Sequence, residues 1–469
     1  MSRESNLIKN TVILGIGTIL PKFASIVMLP LLTGYLTKEE YGTYDLITVL
    51  VSLILPALTL QIQQAAFRFL IDARDSELNV SAIITSIMCF VVPVSTLGAA
   101  IIYFVMPLGN KLVTFLVCLY YWTDVVENAL LQCARGMGDN FAYSMSVVIC
   151  SFSQLLFALL FVRMLGLGLT GAAIMLLGAD FLELVYIVAK TSVARHLNLR
   201  MASFDLVKQM LLYSWPLVPN SMSMWIMRLS NRLVITFFMG VASNAVFAVA
   251  YKLPQILTLV QHTFTMAWQE NASIAEADDD KDAYYTRMFS AVYDLAAGMM
   301  ALLIALSPLL FRLLIRGNYD EAFPHIPILF IGMFFYSMSG FLGGIYVAKK
   351  RTTSIGVTTV IAALINLVVD IVGVPFFGLY AASFAVLISY FILCVYRMSE
   401  VKKFANISYD ISRDAAIAGM LVVMAALCYT QAQIAYGVNI LIGLSLFVVL
   451  DKKYINTLTN TFLKRFAMK

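Results

Sequence analysis

Charged side chains are scarce in this sequence: they make up 13% of its 469 residues, whereas hydrophobic side chains make up 61%. A soluble domain is about a quarter charged, so a chain this apolar could not cover a surface that faces water. Its apolar runs are also uninterrupted, without the alternation of apolar and polar residues that membrane β-barrels show. The composition excludes both classes and predicts a bundle of membrane-spanning helices.

Motifs for catalysis and metal binding are also missing. The sequence has no G-x-x-x-x-G-K-[ST] nucleotide-binding loop and no H-E-x-x-H zinc motif, and its three histidines are scattered. The six cysteines form no C-x-x-C pair and lie in or beside apolar runs, which predicts small core residues. No loop is long enough to hold a catalytic domain. We therefore predict that the protein is not an enzyme and has neither a metal site nor a bound cofactor.

Fourteen apolar segments follow one another along the chain. Each is close to the length, about 20 residues, that crosses about 30 Å of hydrocarbon as a helix. The sequence thus predicts an all-α, polytopic membrane protein with about 14 transmembrane helices. The predicted spans are 9–33, 42–67, 81–106, 111–133, 141–163, 170–190, 210–237, 243–268, 288–312, 325–347, 354–376, 378–398, 412–430 and 434–450.

The placement of lysine and arginine predicts the orientation, because cytoplasmic loops carry an excess of both. With the N-terminus inside, 23 of the 32 basic residues, Arg397 among them, fall on the inner side and 5 on the outer side. Both termini are therefore predicted to be cytoplasmic. The basic loops serve topology and contact with anionic membrane lipids, and we expect no nucleic-acid partner.

Two short patterns recur at a nearly constant offset. G-L-T-G-A-A at 168–173 is echoed by G-L-Y-A-A-S at 378–383, and A-R-G at 134–136 by A-K-K-R at 348–351. The offset equals six spans, an even number, which gives the two halves the same orientation. This predicts two parallel six-helix bundles around a central cavity. The predicted parts are the bundles 1–200 and 201–403, and two additional helices with a cytoplasmic tail at 404–469.

Four cations lie inside predicted spans, where a charge at the helix centre costs at least about 2.5–3.5 kcal/mol. They are Lys22, Arg228, Arg232 and Lys252. The two lysines fall near the membrane midplane, and the two arginines share one face of span seven, nearer its outer end. Because spans one and seven open the two halves, these cations are predicted to face each other across the cavity. The alternative is internal pairing with Asp45, Asp124, Glu127, Asp180, Glu183, Asp294 or Asp370.

Acidic side chains also occur inside the spans. Asp124 with Glu127 in span four, and Asp180 with Glu183 in span six, each occupy one helix face. Buried acids of this kind could relay protons or sodium ions. The sequence therefore makes Asp45 and Asp124 candidates for coupling transport to a proton or sodium gradient. The alternative is structural ion pairs near the helix ends.

Span seven contains two prolines, Pro216 and Pro219. Proline removes an intrahelical hydrogen bond and bends a helix. The bend is predicted to act either as a hinge, on which one half could rock, or as a static kink.

Four segments carry a family resemblance. G-Y-L-T-K-E-E-Y-G-T-Y begins at residue 34, R-G-M-G-D at 135 with Tyr143 after it, Y-S-W-P-L-V-P at 213, and V-P-F-F-G-L at 374. In order and spacing they resemble the polysaccharide-transporter branch of the multidrug/oligosaccharidyl-lipid/polysaccharide exporter superfamily, particularly the O-antigen flippases. The resemblance covers roughly residues 5–400. Asn231-Arg232 departs from it, because the family usually has Asp-Arg there.

The resemblance implies a flippase of the bacterial inner membrane. Its expected substrate is an undecaprenyl-diphosphate-linked O-antigen, or a related surface polysaccharide repeat unit, moved from the cytoplasmic to the periplasmic leaflet by alternating access. A diphosphate could not cross hydrocarbon bare, whereas a cation-lined, water-filled cavity would hold it. The expected partners are this polyprenyl-diphosphate-linked oligosaccharide, membrane lipids and other polysaccharide assembly proteins.

Two other functions fit the same frame. A multidrug or organic-cation antiporter would share the fold, but its cavity should be lined by acids rather than by cations. A membrane-bound glycan polymerase or ligase would need a sizeable periplasmic loop for its acceptor chemistry, and the predicted outer loops are all short.

Overall fold

The computed structural model describes residues 3–74, 76–105, 110–276, 278–430 and 432–467, and throughout these ranges the regular structure is helical. The all-α class is therefore confirmed. The helices are α1 (Arg3–Tyr35), α2 (Lys38–Thr59), α3 (Ile62–Ala73), α4 (Glu77–Val105), α5 (Lys111–Gly136), α6 (Asn140–Phe157), α7 (Gly168–Lys190), α8 (Phe204–Ser214), α9 (Val218–Met239), α10 (Val241–Ala275), α11 (Lys281–Leu314), α12 (His325–Ala348), α13 (Thr352–Phe377), α14 (Leu379–Val401), α15 (Ile411–Tyr429) and α16 (Gln433–Ala467).

Length and composition identify the membrane-spanning helices. Within the described residues, ten helices are long and apolar enough to cross a bilayer, and Leu20–Tyr35 and Leu229–Met239 are shorter apolar helices. The predicted number of about 14 spans agrees roughly with this pattern. Each predicted span falls on one continuous helix, except that spans two and seven are each divided into two. The end of span five, Ala158–Met164, is a π-helix that continues α6.

The division of span two lies at Leu60 and Gln61. Both residues have positive φ, 49° and 59°, which ends α2 and begins α3 although neither residue is glycine. Span seven is divided at a single 3-10 turn, Trp215–Leu217, which contains Pro216. Pro219 is the second residue of α9, where a missing N–H removes no intrahelical bond. The predicted bend is thus a break between two helices, and its use as a hinge stays a prediction.

The chain forms two compact units, Met1–Leu229 and Ser230–Lys469. In the first unit α7 packs on both α5 and α6, and in the second α14 packs on both α12 and α13. These are the same spans of each predicted half, taken in the same order. The predicted part boundaries near 200 and 403 stay predictions.

The turns that end α5 and α12 have the same geometry. Gly138 and Lys350, 212 residues apart, both have positive φ, 98° and 57°. The next residue in each turn donates its N–H across the helix end: Asp139 to the Ala134 carbonyl at 3.0 Å, and Arg351 to the Tyr346 carbonyl at 2.8 Å. The repeated sequence pattern therefore corresponds to a repeated backbone structure, in which a residue in the left-handed region ends the helix.

Glycines with positive φ also precede α7 and α14. Gly168 has φ 54° and Gly378 has φ 58°, at an offset of 210 residues. Their surroundings differ. A side chain on Gly168 would collide with Glu40 Oε1, whereas a Cβ on Gly378 would find Met239 Cε at 3.2 Å, the flexible end of a side chain. Glu40 forms a capping box with Thr37 at the start of α2 and also accepts the Leu169 N–H of α7 at 3.1 Å.

We expect Gly168→Ala to destabilise the protein more than Gly378→Ala. Both place a Cβ in the left-handed region, which costs about 1–2 kcal/mol. Only Gly168→Ala also displaces Glu40 and weakens two helix starts, adding about 1–2 kcal/mol. Melting temperatures of the purified variants in detergent measure the difference. Equal shifts for the two variants would show that Glu40 moves aside without loss.

Candidate functional site

The predicted cations lie on three helices of the two units. Lys22 is exposed on α1 of the first unit, while Arg232 on α9 and Lys252 on α10 belong to the second. Arg232 is buried and Lys252 is half-buried. The side chain of Arg228 lies outside the described residues. Within the second unit, then, the structure distinguishes a buried arginine from a partly accessible lysine.

Arg232 lies in a buried polar patch. Its guanidinium carbon is 5.9 Å from the centroid of the Tyr251 ring, a cation–π distance. On the same helix the Ser230 hydroxyl lies 3.3 Å from Asn231 Oδ1 and 3.2 Å from Asn366 Oδ1 of α13. Asn231, which stands where the family usually has an acid, is buried here. The patch therefore joins α9 to α13 through the uncharged contact between Ser230 and Asn366.

Asp370 follows Asn366 by one helical turn on the same face of α13. It is fully buried, and neither of its carboxylate oxygens has a hydrogen-bond partner in the described part of the chain. From the sequence, Asp370 is only one of several internal partners for a cation. An isolated acid deep inside an apolar run was the signal that could have selected it.

The structure brings together the two acidic pairs of the first unit. Asp124 and Glu127 lie on α5, Asp180 and Glu183 lie on α7, and these helices pack directly against each other. Of the candidates for ion coupling, Asp124 is half-buried within this group, and Asp45 is buried on α2. Sequence spacing placed each pair on one helix face, but only the packing of α5 on α7 makes them one group.

The comparison with protein families covers more than half of the chain: the family described as polysaccharide biosynthesis protein matches residues 7–269. The chain belongs to this family. No curated protein sequence matches it significantly.

Solved transporter structures resemble this family member in fold. The lipid II flippase MurJ, in an inward closed conformation, has a TM-score of 0.71 at 15% identity, over 96% of this chain and 100% of MurJ. A multidrug resistance transporter of the MATE family, in an inward-facing conformation, has a TM-score of 0.71 at 13% identity, over 87% of this chain and 98% of that one. A MOP-superfamily transporter from Pyrococcus furiosus has a TM-score of 0.60 at 14% identity, over 88% and 96%.

At these identities the structural likeness shows the fold alone. Together with the family match, it makes this family member a multi-pass membrane protein with the fold of the MOP-superfamily transporters. The predicted family resemblance is confirmed. The roles predicted for the individual cations and acids stay predictions.

Outside the spans, the chain has an ion-pair cluster at the end of α10. Glu276 Oε1 binds Lys349 Nζ at 2.6 Å and Lys281 Nζ at 3.0 Å, and Tyr285 donates to its other oxygen at 3.0 Å. Partial burial acts to raise the pKa of Glu276, but these hydrogen bonds outweigh it and lower the pKa. The cluster therefore stabilises the fold at neutral pH and is weakened as the pH falls through that lowered pKa.

Within the described ranges, no group of three or more His, Cys, Asp or Glu side chains is arranged to hold a metal ion. The two units contain cations inside predicted spans and, separately, a group of buried carboxyl groups.

Proposed function

We propose that the protein is a flippase for a lipid-linked glycan. Its substrate would be an undecaprenyl-diphosphate-linked O-antigen, or a related surface polysaccharide repeat unit, moved from the cytoplasmic to the periplasmic leaflet of the bacterial inner membrane. Membership of the polysaccharide biosynthesis family supports the substrate class. The likeness in fold to MurJ, a flippase of lipid II, supports the type of movement.

The exposure of Lys22 is the observation that carries this proposal. Lys22 lies about 20 Å from the end of α1, by 1.5 Å rise per residue, which is near the middle of a membrane. A charge facing lipid at this depth would cost at least about 2.5–3.5 kcal/mol. An exposed lysine here is therefore best explained by a water-filled cavity that admits an anion.

The substrate supplies a matching anion. Its diphosphate joins the lipid to the sugar, so a cavity with Lys22, Arg228 and Lys252 would attract the junction while the polyprenyl tail stays in lipid. Alternating access between two six-helix bundles would then expose the bound unit to one side and the other in turn. Membrane lipids and other polysaccharide assembly proteins are the partners that this role requires.

We expect Lys22→Ala, Arg228→Ala and Lys252→Ala each to reduce transport at least tenfold, since removing a charged contact costs about 1.4 kcal/mol or more. The host gene is deleted and complemented with each variant, with membrane levels checked by blot. The readouts are the surface polysaccharide ladder and the lipid-linked units that accumulate on the cytoplasmic side. Lys22→Arg should retain activity. Arg232 is left out because its burial makes a folding defect the first consequence of its loss.

Lys111→Ala is the matched control, because Lys111 is an exposed lysine at the first residue of α5 rather than near the middle of a span. It should behave as the wild type. A normal ladder in the deletion strain would refute the glycan assignment and favour a multidrug or organic-cation antiporter of the same fold. Full activity of all three alanine variants would refute the cationic cavity.

A further inference from the structure

Four carboxyl groups lie on the packed helices α5 and α7 of the first unit, and we call them the acidic group: Asp124, Glu127, Asp180 and Glu183. The last three are 5%, 4% and 3% exposed. Asp124 lies about 18 Å from the end of α5, and Asp180 about 18 Å from the start of α7, by the rise per residue. Three members of the acidic group are thus buried near the middle of α7 and of α5, the helix of predicted span four.

Negative charge at this place is not balanced by cations. Among the described residues, none of the four carboxyl groups forms an ion pair with a lysine or arginine. Four ionised carboxylates here would repel one another and would each be costly to bury. The titratable neighbours on the packed helices are Tyr44 and Asp45 on α2, Tyr120 and Tyr121 on α5, and Cys150 on α6. At least part of the acidic group must therefore be protonated.

One pair within the acidic group can form a hydrogen bond only when a proton is present. Glu127 and Glu183 are neighbours across the packed helices α5 and α7. Two carboxyl groups can share a hydrogen bond only if one of them holds a proton, because an ionised carboxylate only accepts. Beside them, the Cys150 thiol donates to Asp180 Oδ1 at 3.5 Å.

A buried hydroxyl of α6 also points toward the acidic group. Ser144 faces α1, because its Cβ lies 2.6 Å from the position where a side chain on Gly17 would begin. Ser146 lies about 200° further around the helix, on the side of Cys150. Its Oγ is fully buried and has no hydrogen-bond partner among the described residues, and the same holds for Asp180 Oδ2 and Glu183 Oε1. Polar atoms from two helices thus have capacity left to receive or pass on a proton.

The second unit shows that this packing does not need acids. With the offsets of the two echoed turns, Asp124 corresponds to Tyr336 of α12 and Asp180 to Tyr390 of α14. These two rings contact each other, with centroids 4.8 Å apart. The residues that correspond to Glu127 and Glu183 are Ser339 and Leu393. The same pair of helices is therefore held by an uncharged contact in one unit and carries four acids in the other.

We propose that the acidic group is a proton-binding site of the first unit. In it the Glu127–Glu183 pair and Asp180 hold at least one exchangeable proton, taken from water onto a carboxylate oxygen and returned to water later in the cycle. Uptake neutralises one charge and forms the shared hydrogen bond, and release restores the charge and the repulsion, which favours a different packing of α5 on α7. The coupling of this step to transport rests on the proposed function, whereas proton binding itself does not.

Infrared spectroscopy of the purified, full-length protein in lipid tests proton binding directly. We expect the C=O stretching band of protonated carboxyl groups to be present at neutral pH, where exposed acids are ionised. Glu127→Gln, Glu183→Gln and Asp180→Asn should each lose part of this band. Spectra of variant minus wild type remove the contribution of other buried acids such as Asp370. Asp279→Asn, in the exposed loop before α11, is the control and should leave the band unchanged.

A wild type without the band at neutral pH, or no loss in any of the three variants, would overturn the proposal. Removal of the band by sodium ions at constant pH would also overturn it, because the site would then bind a metal cation. Loss of the band together with an unchanged polysaccharide ladder for Glu183→Gln would refute coupling to transport. A normal ladder in the deletion strain would refute the glycan flippase and leave the infrared result intact.

Discussion

Arg397→Lys is expected to destabilise the second unit more than Arg397→Met, although lysine keeps the charge. The Arg397 guanidinium is buried and donates to the carbonyls of Ser339 and Ile355 and to the hydroxyls of Thr358 and Thr359, at 2.9–3.2 Å. These bonds tie α14 to α12 and α13, and every acceptor is uncharged. Lysine would carry the same buried charge with fewer donors in a different geometry. We expect a loss of about 3 kcal/mol.

Methionine at position 397 removes the charge and, with it, the free-energy cost of burying that charge away from water. Both threonine hydroxyls already donate to the Ile355 carbonyl, at 3.0 Å and 2.8 Å, so few polar atoms would be left without a partner. The remaining loss, from bonds and packing, should be about 1–2 kcal/mol. Melting temperatures in detergent rank the stability of the wild type, Arg397→Met and Arg397→Lys. If methionine proved worse than lysine, the hydrogen bonds rather than the buried charge would dominate the energetics of this site.

The sequence predicted the membrane helices because a run of apolar residues long enough to cross a bilayer has few other uses. It could not predict the break of span two at Leu60 and Gln61, since nothing in a leucine–glutamine pair marks a positive φ. It also counted Arg397 among the basic residues of the inner side, from its place near a span end. Its burial depends on oxygens of α12 and α13, which only the packing of the helices brings near.

The candidate site was predictable only as far as it depends on spacing along a single helix. Spacing along one helix places Asp124 beside Glu127 and Asp180 beside Glu183, because residues three apart share a face. The two pairs are neighbours only because α5 packs on α7, and no local sequence pattern predicts which helices pack together. Asp370 was visible as an acid in an apolar run, but its complete burial and lack of partners follow only from the tertiary structure.

The two units repeat their turns and not their interiors. The ends of α5 and α12 close with the same backbone bonds, because such a turn is a local solution that a short sequence specifies. The facing surfaces of the packed helices differ: acids in the first unit, tyrosines, Arg397 and Asp370 in the second. A repeat of this kind fixes the scaffold and leaves the chemistry of each half to vary.

Replacement of glycine by alanine should lower the stability of the protein at one position of the second unit and raise it at another. Gly344 of α12 lies against Trp268, and a Cβ there would collide with the indole ring. Trp268 cannot move aside easily. It is buried, its ring stacks on Phe341 at 4.4 Å, and its Nε1 donates to the Phe341 carbonyl at 2.8 Å. Gly344→Ala should therefore cost about 2–3 kcal/mol through overpacking.

Gly356 of α13 supplies the matched control, because a Cβ there would meet no atom within 4 Å. In a helix interior alanine is favoured over glycine by about 0.5–1 kcal/mol, so Gly356→Ala should raise the melting temperature slightly. A neutral result for Gly344→Ala would mean that Trp268 shifts without loss, and near-ultraviolet circular dichroism of the variant would then show an altered tryptophan environment. A lowered melting temperature with an unaltered spectrum would place the strain in the helix backbone instead. Opposite shifts for the two variants would show that close packing of α10 on α12, and not helix propensity, requires glycine at 344.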